Sequence, residues 1–340
     1  MEINNLIKKT EDLIEYFRKV NPDITHLEAK HSPLIAQIVS NYNLPDATPG
    51  EKPNAQMIFL GAPTGSGKDT LIRKIELDNP NTNFVSLNMD MFRHYHNEIV
   101  SSDAPISDKD FAYTTNQTSY ELYYIIQEII LREFPGTNII VTGTMRDLDW
   151  IKEISDRYRY DSKTNYKVSL ATLAVPTQES ALSIFERYLR LVDTRDQSNP
   201  SPLRYTDLKY HDDSVKRFAD NLKFMEDNMH QDPNNKYFSS IKVYRRSASI
   251  TDFTEDTLVY DSNNPDPNKC AHAHTISIMN TVPVFSTERI YELLEIIKRN
   301  SEYLKSQGLY ESVINNIKSI VTKPKEQDKS PDDDDEEELE

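Results

Sequence analysis

Apolar positions recur first at helical and then at strand spacing, and the change of period divides the chain. Ile7 to Val20 and His26 to Tyr42 each carry an apolar face and are parted by Asn21-Pro22-Asp23, which predicts two short helices. The stretch LPDATPGEKPNAQ, with its Pro and Gly residues, predicts a linker. Beyond it Met57-Ile58-Phe59-Leu60 is a continuous apolar run, the pattern of a strand buried on both faces. Similar runs end near Asn88, cover Asn138-Ile139-Ile140-Val141 after a Pro-Gly turn, and span Val168 to Val175 and Ile241 to Tyr244. Between them Leu122, Ile125, Ile126 and Ile129 share one helical face, and a second helix is expected from Gln178 to Leu191. The alternation predicts an α/β fold, a mostly parallel sheet flanked by helices. Near the end, Ser286 before RIYELLEIIKRNSEYLKSQG, apolar spacing at Ile290, Leu293, Leu294 and Ile297, and Gly308 predict one capped helix.

These boundaries divide the chain into a helical N-terminal extension (1–50), a catalytic core (51–245), a C-terminal extension ending in helices (246–322) and an acidic tail (323–340) expected to be disordered. With 340 residues and 37% hydrophobic content the chain can bury a sizeable core, and one Cys rules out an internal disulfide framework. No run approaches the roughly 18 apolar residues of a membrane span, so no membrane partner is expected. The start, MEINNLIKKTEDL, has no apolar segment of secretory type, which points to the cytoplasm while leaving effector-type export open. The net charge is −16, and half of it sits in the last nine residues. That balance argues against nucleic acid as a partner, because such binding draws on phosphate neutralisation by Lys and Arg.

Glycine is scarce, yet three of seven, Gly61, Gly65 and Gly67, fall in GAPTGSG directly after the first strand. The run Gly61-Ala62-Pro63-Thr64-Gly65-Ser66-Gly67-Lys68-Asp69-Thr70 opens a helix, giving strand, glycine-rich loop, lysine and helix: a phosphate cradle. Lys68 would reach the β- and γ-phosphates. Against the usual spacing, Ala62 replaces a Gly or the loop is one residue longer, and Asp69 stands where a hydroxyl is expected. A Mg²⁺ ligand could therefore be Thr70, one step later, or Asp69 itself.

A second strand ends in NMDMFRHYH, which puts Asp90 at the carboxyl edge of the sheet beside the loop, where such folds bind ligands. A carboxylate there can take the proton of an attacking hydroxyl; ordering Mg²⁺ or capping a helix are its other uses. His94 and His96 could line the pocket, cap the helix or face solvent. Cys270-Ala-His272-Ala-His274 would align three metal-ligand side chains on one face if it were a strand.

Taken together, GAPTGSGKDT, NMDMFRHYH and VTGTMRD, in this order, resemble the zeta-toxin family of P-loop kinases over roughly Met57 to Arg245. That family phosphorylates the 3′-hydroxyl of UDP-N-acetylglucosamine with ATP, poisoning cell-wall synthesis. The resemblance implies a P-loop kinase fold, ATP and Mg²⁺ as cofactors, Lys68 as the phosphate lysine, Asp90 as general base with Arg93 in the same motif, and Thr144 and Arg146 at the sugar-nucleotide. Thr142 stands where the family has a Glu that helps hold the amino-sugar. FERYLRLVDTRDQSNPSPLRYTDLKYHDD resembles the family's lid, with Arg187 and Arg204 as the γ-phosphate arginines. Arg190 is a substitute for Arg187, and ion pairing with Glu186 and Asp193 is the alternative for any one of them. A small antitoxin or chaperone protein is a further implied partner. The expected activity is transfer of phosphate from ATP to a nucleotide-sugar; the alternatives are an effector-type kinase acting on NAD or another nucleotide, and a nucleotide-binding scaffold without transfer.

Overall fold

The computed structural model describes residues 1–45, 53–100, 106–161, 163–195, 202–231, 237–246, 257–264 and 270–322. The acidic tail, the lid loop at 196–201 and the linker at 46–52 lie outside these residues, and with them the expected boundaries at 50 and 322.

Helices α1 (Ile3–Val20) and α2 (Ser32–Ser40) open the chain. The second starts six residues later than its apolar pattern predicts, because the backbone N–H groups of Thr25, His26 and Leu27 donate to the Glu121 carboxylate instead of entering a helix. Strand β1 (Asn54–Gly61) runs into α3 (Lys68–Asp78), followed by β2 (Phe84–Leu87), a short 3₁₀ helix (Met89–Tyr95) and α4 (His96–Val100). Next come α5 (Asp108–Thr114), α6 (Asn116–Glu133), β3 (Asn138–Gly143) and α7 (Leu148–Asp156). Strand β4 (Asn165–Ala174), α8 (Thr177–Thr194), α9 (Leu208–Gln231), β5 (Ile241–Arg245) and β6 (Leu258–Asp261) complete the sheet and its cover. Helices α10 (Ala271–Met279), α11 (Thr287–Arg299), α12 (Ser301–Ser306) and α13 (Tyr310–Thr322) follow.

The sheet order is β2-β3-β1-β4-β5-β6, parallel throughout except for β6, which runs antiparallel beside β5. The four central pairings therefore bring the carboxyl ends of β1 to β5 to one edge, as the alternating pattern predicts. One face of the sheet packs Met57, Phe59, Val141 and Ile139 against α6 residues such as Leu122 and Ile126, with α1 and α2 beyond. The other face packs Ile58, Leu60, Ile140 and Ala171 against Leu71 and Ile75 of α3. A separate apolar cluster joins Phe185 and Leu189 of α8 to Leu293, Ile297, Leu304 and Val313 of the C-terminal helices.

Two expectations are corrected. The C-terminal pattern forms two helices, not one, because Asn300 leaves helical geometry and its side chain bonds Asp193 at 2.9 Å and the Ile296 carbonyl at 3.0 Å. Ser286 does cap the first of them, accepting from the Arg289 N–H at 3.1 Å. The segment from Cys270 to His274 is helical, with the Cys270 thiol capping Ala273. Histidines two apart point to different sides of a helix, so the alternating metal-ligand arrangement does not form.

Candidate active site

The loop after β1 is shaped by its glycines. Gly65 and Gly67 sit at φ +82° and +90°, conformations that L side chains rarely adopt. At Gly65 a Cβ would also stand 2.1 Å from the Ser180 carbonyl of α8, so the loop presses directly on that helix. Gly67 ends the loop as the residue before α3, which leaves the first N–H groups of that helix directed at the carboxyl edge of the sheet. Ser66 is buried and donates to the Pro63 carbonyl at 2.7 Å, while the buried Thr64 hydroxyl has no hydrogen-bond partner among the described residues. The Lys68 ammonium folds over the loop, donating to the carbonyls of Ala62 at 3.0 Å and Pro63 at 3.3 Å.

Burial lowers the Lys68 pKa to about 7, with the charges of Arg187 and then Arg204 acting the same way and Asp69 opposing them. Arg187 on α8 and Arg204 before α9 both lie within electrostatic reach of Lys68. The folded protein releases this proton at lower pH than the unfolded chain. Linkage therefore favours folding increasingly as the pH rises from about 7 toward 10.5.

Asp90 lies in the 3₁₀ helix that follows β2, its own N–H bonded to the Asn88 side chain at 3.0 Å. Its carboxylate is part-exposed and held by two guanidiniums: Arg93 Nε at 2.8 Å on one oxygen, and Arg204 Nη1 in close contact on the other. Arg204 thus connects the two motifs, since it pairs with Asp90 and acts on Lys68. Its Nε is buried and has no hydrogen-bond partner among the described residues. Arg93 is 5% exposed and is used within the protein, donating also to the Ala112 carbonyl at 2.6 Å and the Thr115 hydroxyl at 3.1 Å. The structure gives it the work of fixing Asp90 to α5 and α6.

The third motif follows β3. Thr142 is buried beside Leu60 of β1, its hydroxyl without a hydrogen-bond partner among the described residues. Thr144 is part-exposed, and Met145 turns the chain sharply at φ +55°. The Asn221 side chain of α9 holds this turn through the carbonyls of Met145 at 2.7 Å and Arg146 at 3.2 Å. Arg146 lies over the Tyr210 ring, 4.4 Å from its centroid, and 3.7 Å from Asp213. Tyr210, Asp213 and Asn221 are not singled out by the sequence; in KYHDDSVKRF the three-residue step from Tyr210 to Asp213, which puts them on one helical face, is the signal for the first two. His94 is exposed, and His96 is buried with its ring nitrogen 2.9 Å from the Thr118 hydroxyl.

Arg187 and Arg190 have different neighbours. Arg190 pairs with Glu186 at 2.9 Å and with Glu292 of α11 at 3.0 Å, on the outer side of α8. Arg187 forms no salt bridge among the described residues and faces Lys68 and Asp69. Arg190→Ala is accordingly expected to change stability by no more than about 1 kcal/mol, as is usual for half-exposed pairs, and to leave nucleotide binding unaltered in a calorimetric titration.

The donor set suits a polyphosphate: helix N–H groups, one ammonium and two guanidiniums converge, with unpartnered donors at Thr64 and Arg204. For a divalent cation, Asp69 and Thr70 stand at the start of α3, and no three His, Cys, Asp or Glu side chains gather into a metal cluster among the described residues. Such a pair fits Mg²⁺, which commonly takes one or two protein ligands and completes its shell with phosphate oxygens and water.

A mostly parallel sheet whose first strand delivers a glycine-rich loop, lysine and helix, met by Arg187 of α8 and Arg204 from the segment before α9, defines a P-loop kinase fold. The chain belongs to the zeta toxin family, whose model matches residues 43–264. Among solved structures it is similar to a chain of the PezAT chromosomal toxin–antitoxin system of Streptococcus pneumoniae. The TM-score is 0.58 at 21% identity, covering 83% of this chain and 98% of that one. A chain of the AvrRxo1-ORF1:AvrRxo1-ORF2 complex with ATP matches at TM-score 0.44 and 12% identity, covering 79% of this chain and 81% of that one. Comparison with curated proteins gives no match. No helix among the described residues is long and apolar enough to cross a membrane.

Proposed function

We propose that the protein is an ATP-dependent kinase that phosphorylates a hydroxyl of a nucleotide-sugar such as UDP-N-acetylglucosamine. The observation that carries this reading is the position of Arg204, in contact with Asp90 and in electrostatic reach of Lys68. It joins a proton-accepting carboxylate to a phosphate cradle across one cleft. The loop amides and Lys68 hold the β- and γ-phosphates of ATP, and Arg187 and Arg204 take up charge on the phosphoryl group in transit. Asp90 accepts the proton of the acceptor hydroxyl as its oxygen bonds to the γ-phosphorus and the bond to ADP breaks. When Arg204 turns to the phosphoryl group, Asp90 is released from one of its two guanidiniums while Arg93 keeps it aimed. Mg²⁺ on Asp69 and Thr70 would neutralise phosphate charge.

Thr142, Thr144 and Arg146 line the acceptor side, with Arg146 oriented by Tyr210. A nucleotide such as NAD is the second acceptor, favoured by the absence of a carboxylate at Thr142. The likeness of the fold to a chain of a toxin–antitoxin system supports a protein partner of antitoxin or chaperone type.

The test is incubation with labelled ATP, Mg²⁺ and a panel of nucleotide-sugars, dinucleotides and an oligonucleotide. Label on a nucleotide-sugar supports the reading, label on a dinucleotide moves the acceptor to NAD, and ATP binding without transfer to any acceptor favours a scaffold. Because phosphate oxygens favour the ammonium form of Lys68, ATP affinity is expected to fall as the pH rises through about 7. In Lys68→Arg, which stays protonated, titrations between about pH 6 and about pH 9 should show a flatter profile.

A further inference from the structure

Helices α11 to α13 lie beyond the stretch matched by the family, yet they reach the Arg204 segment through buried contacts: Tyr205 shares a hydrogen bond with Ser312 of α13 at 3.1 Å, and Asp108 bonds α12. Asp108, at the start of α5, is 1% exposed, and no step of the proposed chemistry uses it. One carboxylate oxygen accepts from the Leu203 N–H at 2.8 Å. The other accepts from two tyrosine hydroxyls, Tyr188 of α8 at 2.7 Å and Tyr303 of α12 at 2.6 Å. Its backbone N–H donates to the Gln307 side chain at 3.0 Å, and its carbonyl accepts from the Tyr205 N–H at 3.4 Å. The residues on either side of Arg204 are therefore both fastened to Asp108. The same helix α5 supplies the Ala112 carbonyl that holds Arg93. Burial, together with the carboxylate, pushes both tyrosine hydroxyls up, so both remain protonated donors.

We propose that Asp108 is a positioning residue that sets Arg204 for the γ-phosphate, and that Tyr303 makes the C-terminal helices part of that support. The inference rests on the reading of Arg204 as a phosphoryl-gripping group. A backbone held at both neighbours by a buried anion loses little freedom when its side chain engages the phosphate. An anion that loses one of its hydroxyl donors holds the segment less firmly. Tyr188 follows Arg187 directly in sequence, so the same carboxylate also fixes the register of the second arginine.

The experiment compares the affinities for ADP and for a non-hydrolysable ATP analogue in the full chain, by calorimetry, in wild type, Tyr303→Phe, Arg204→Ala and the double variant. Wild type should prefer the triphosphate. Tyr303→Phe should narrow that preference about five- to tenfold, less than the direct worth of a hydrogen bond to a charged group because the loss reaches Arg204 through the backbone, with ADP affinity unchanged. In the Arg204→Ala background it should have no further effect. Tyr188→Phe removes the other hydroxyl from the same carboxylate and should act in the same direction, which covers a Tyr303 variant that folds poorly. An unchanged preference in both tyrosine variants, or equal losses of ADP and triphosphate affinity, would overturn the inference while leaving the kinase reading intact. Absence of any triphosphate preference in wild type would instead overturn the role of Arg204 and the inference with it.

Discussion

Asp90→Asn is expected to lower phosphoryl transfer by about 10² to 10⁴, the range for losing a positioned general base, while ATP still binds. The amide keeps an oxygen for Arg93 Nε, so the 3₁₀ helix and its Asn88 bond remain. What disappears is the ability to take a proton, together with the charge that Arg204 pairs with. Single-turnover measurement with saturating ATP separates these effects, because a binding defect would be visible in a parallel titration. Expression of wild type should arrest host growth, and Asp90→Asn and Lys68→Ala should relieve the arrest; equal arrest by all three would contradict a kinase poison.

The larger effect is expected at Arg204. Arg204→Ala should reduce transfer by about 10³ to 10⁵, because a guanidinium on the transferring phosphoryl group is worth that much in such enzymes. Arg204→Lys should recover only a small part, since an ammonium lacks the fork that can address a carboxylate and a phosphate together. The combined Asp90→Asn/Arg204→Ala variant should be hardly slower than the worse single one, as residues acting as a unit are not additive. A product of the two separate losses would mean that the two side chains act independently.

The glycine loop and Asp90 are legible in the sequence because local chemistry dictates them. Positive φ at Gly65 and Gly67 explains the crowding of a rare residue, and an apolar strand that ends in Asn88-Met89-Asp90 has one place to deliver its carboxylate. The arginines are less legible. Arg187 and Arg190 lie three apart on one helix, and their roles separate only because Glu292, about a hundred residues away, claims Arg190. Arg93 looks like a ligand residue until Ala112 and Thr115 are seen to occupy it. Helix α9 hides its buried Phe218, Leu222 and Met225 among charges, and the contacts that its Tyr210 and Asn221 make with the turn after β3 go unread. The Cys270 segment misleads for the converse reason: alternation fits a strand, but the backbone there is capped as a helix.

A crystal structure with Mg²⁺ and a non-hydrolysable ATP analogue tests the convergence of base and cradle most directly. The expected result is a γ-phosphate held by Lys68, Arg187 and Arg204, with the Asp90 carboxylate facing it across room for one hydroxyl. A γ-phosphate bound away from Arg204, or an Asp90 carboxylate screened from it by packed side chains, would contradict that convergence.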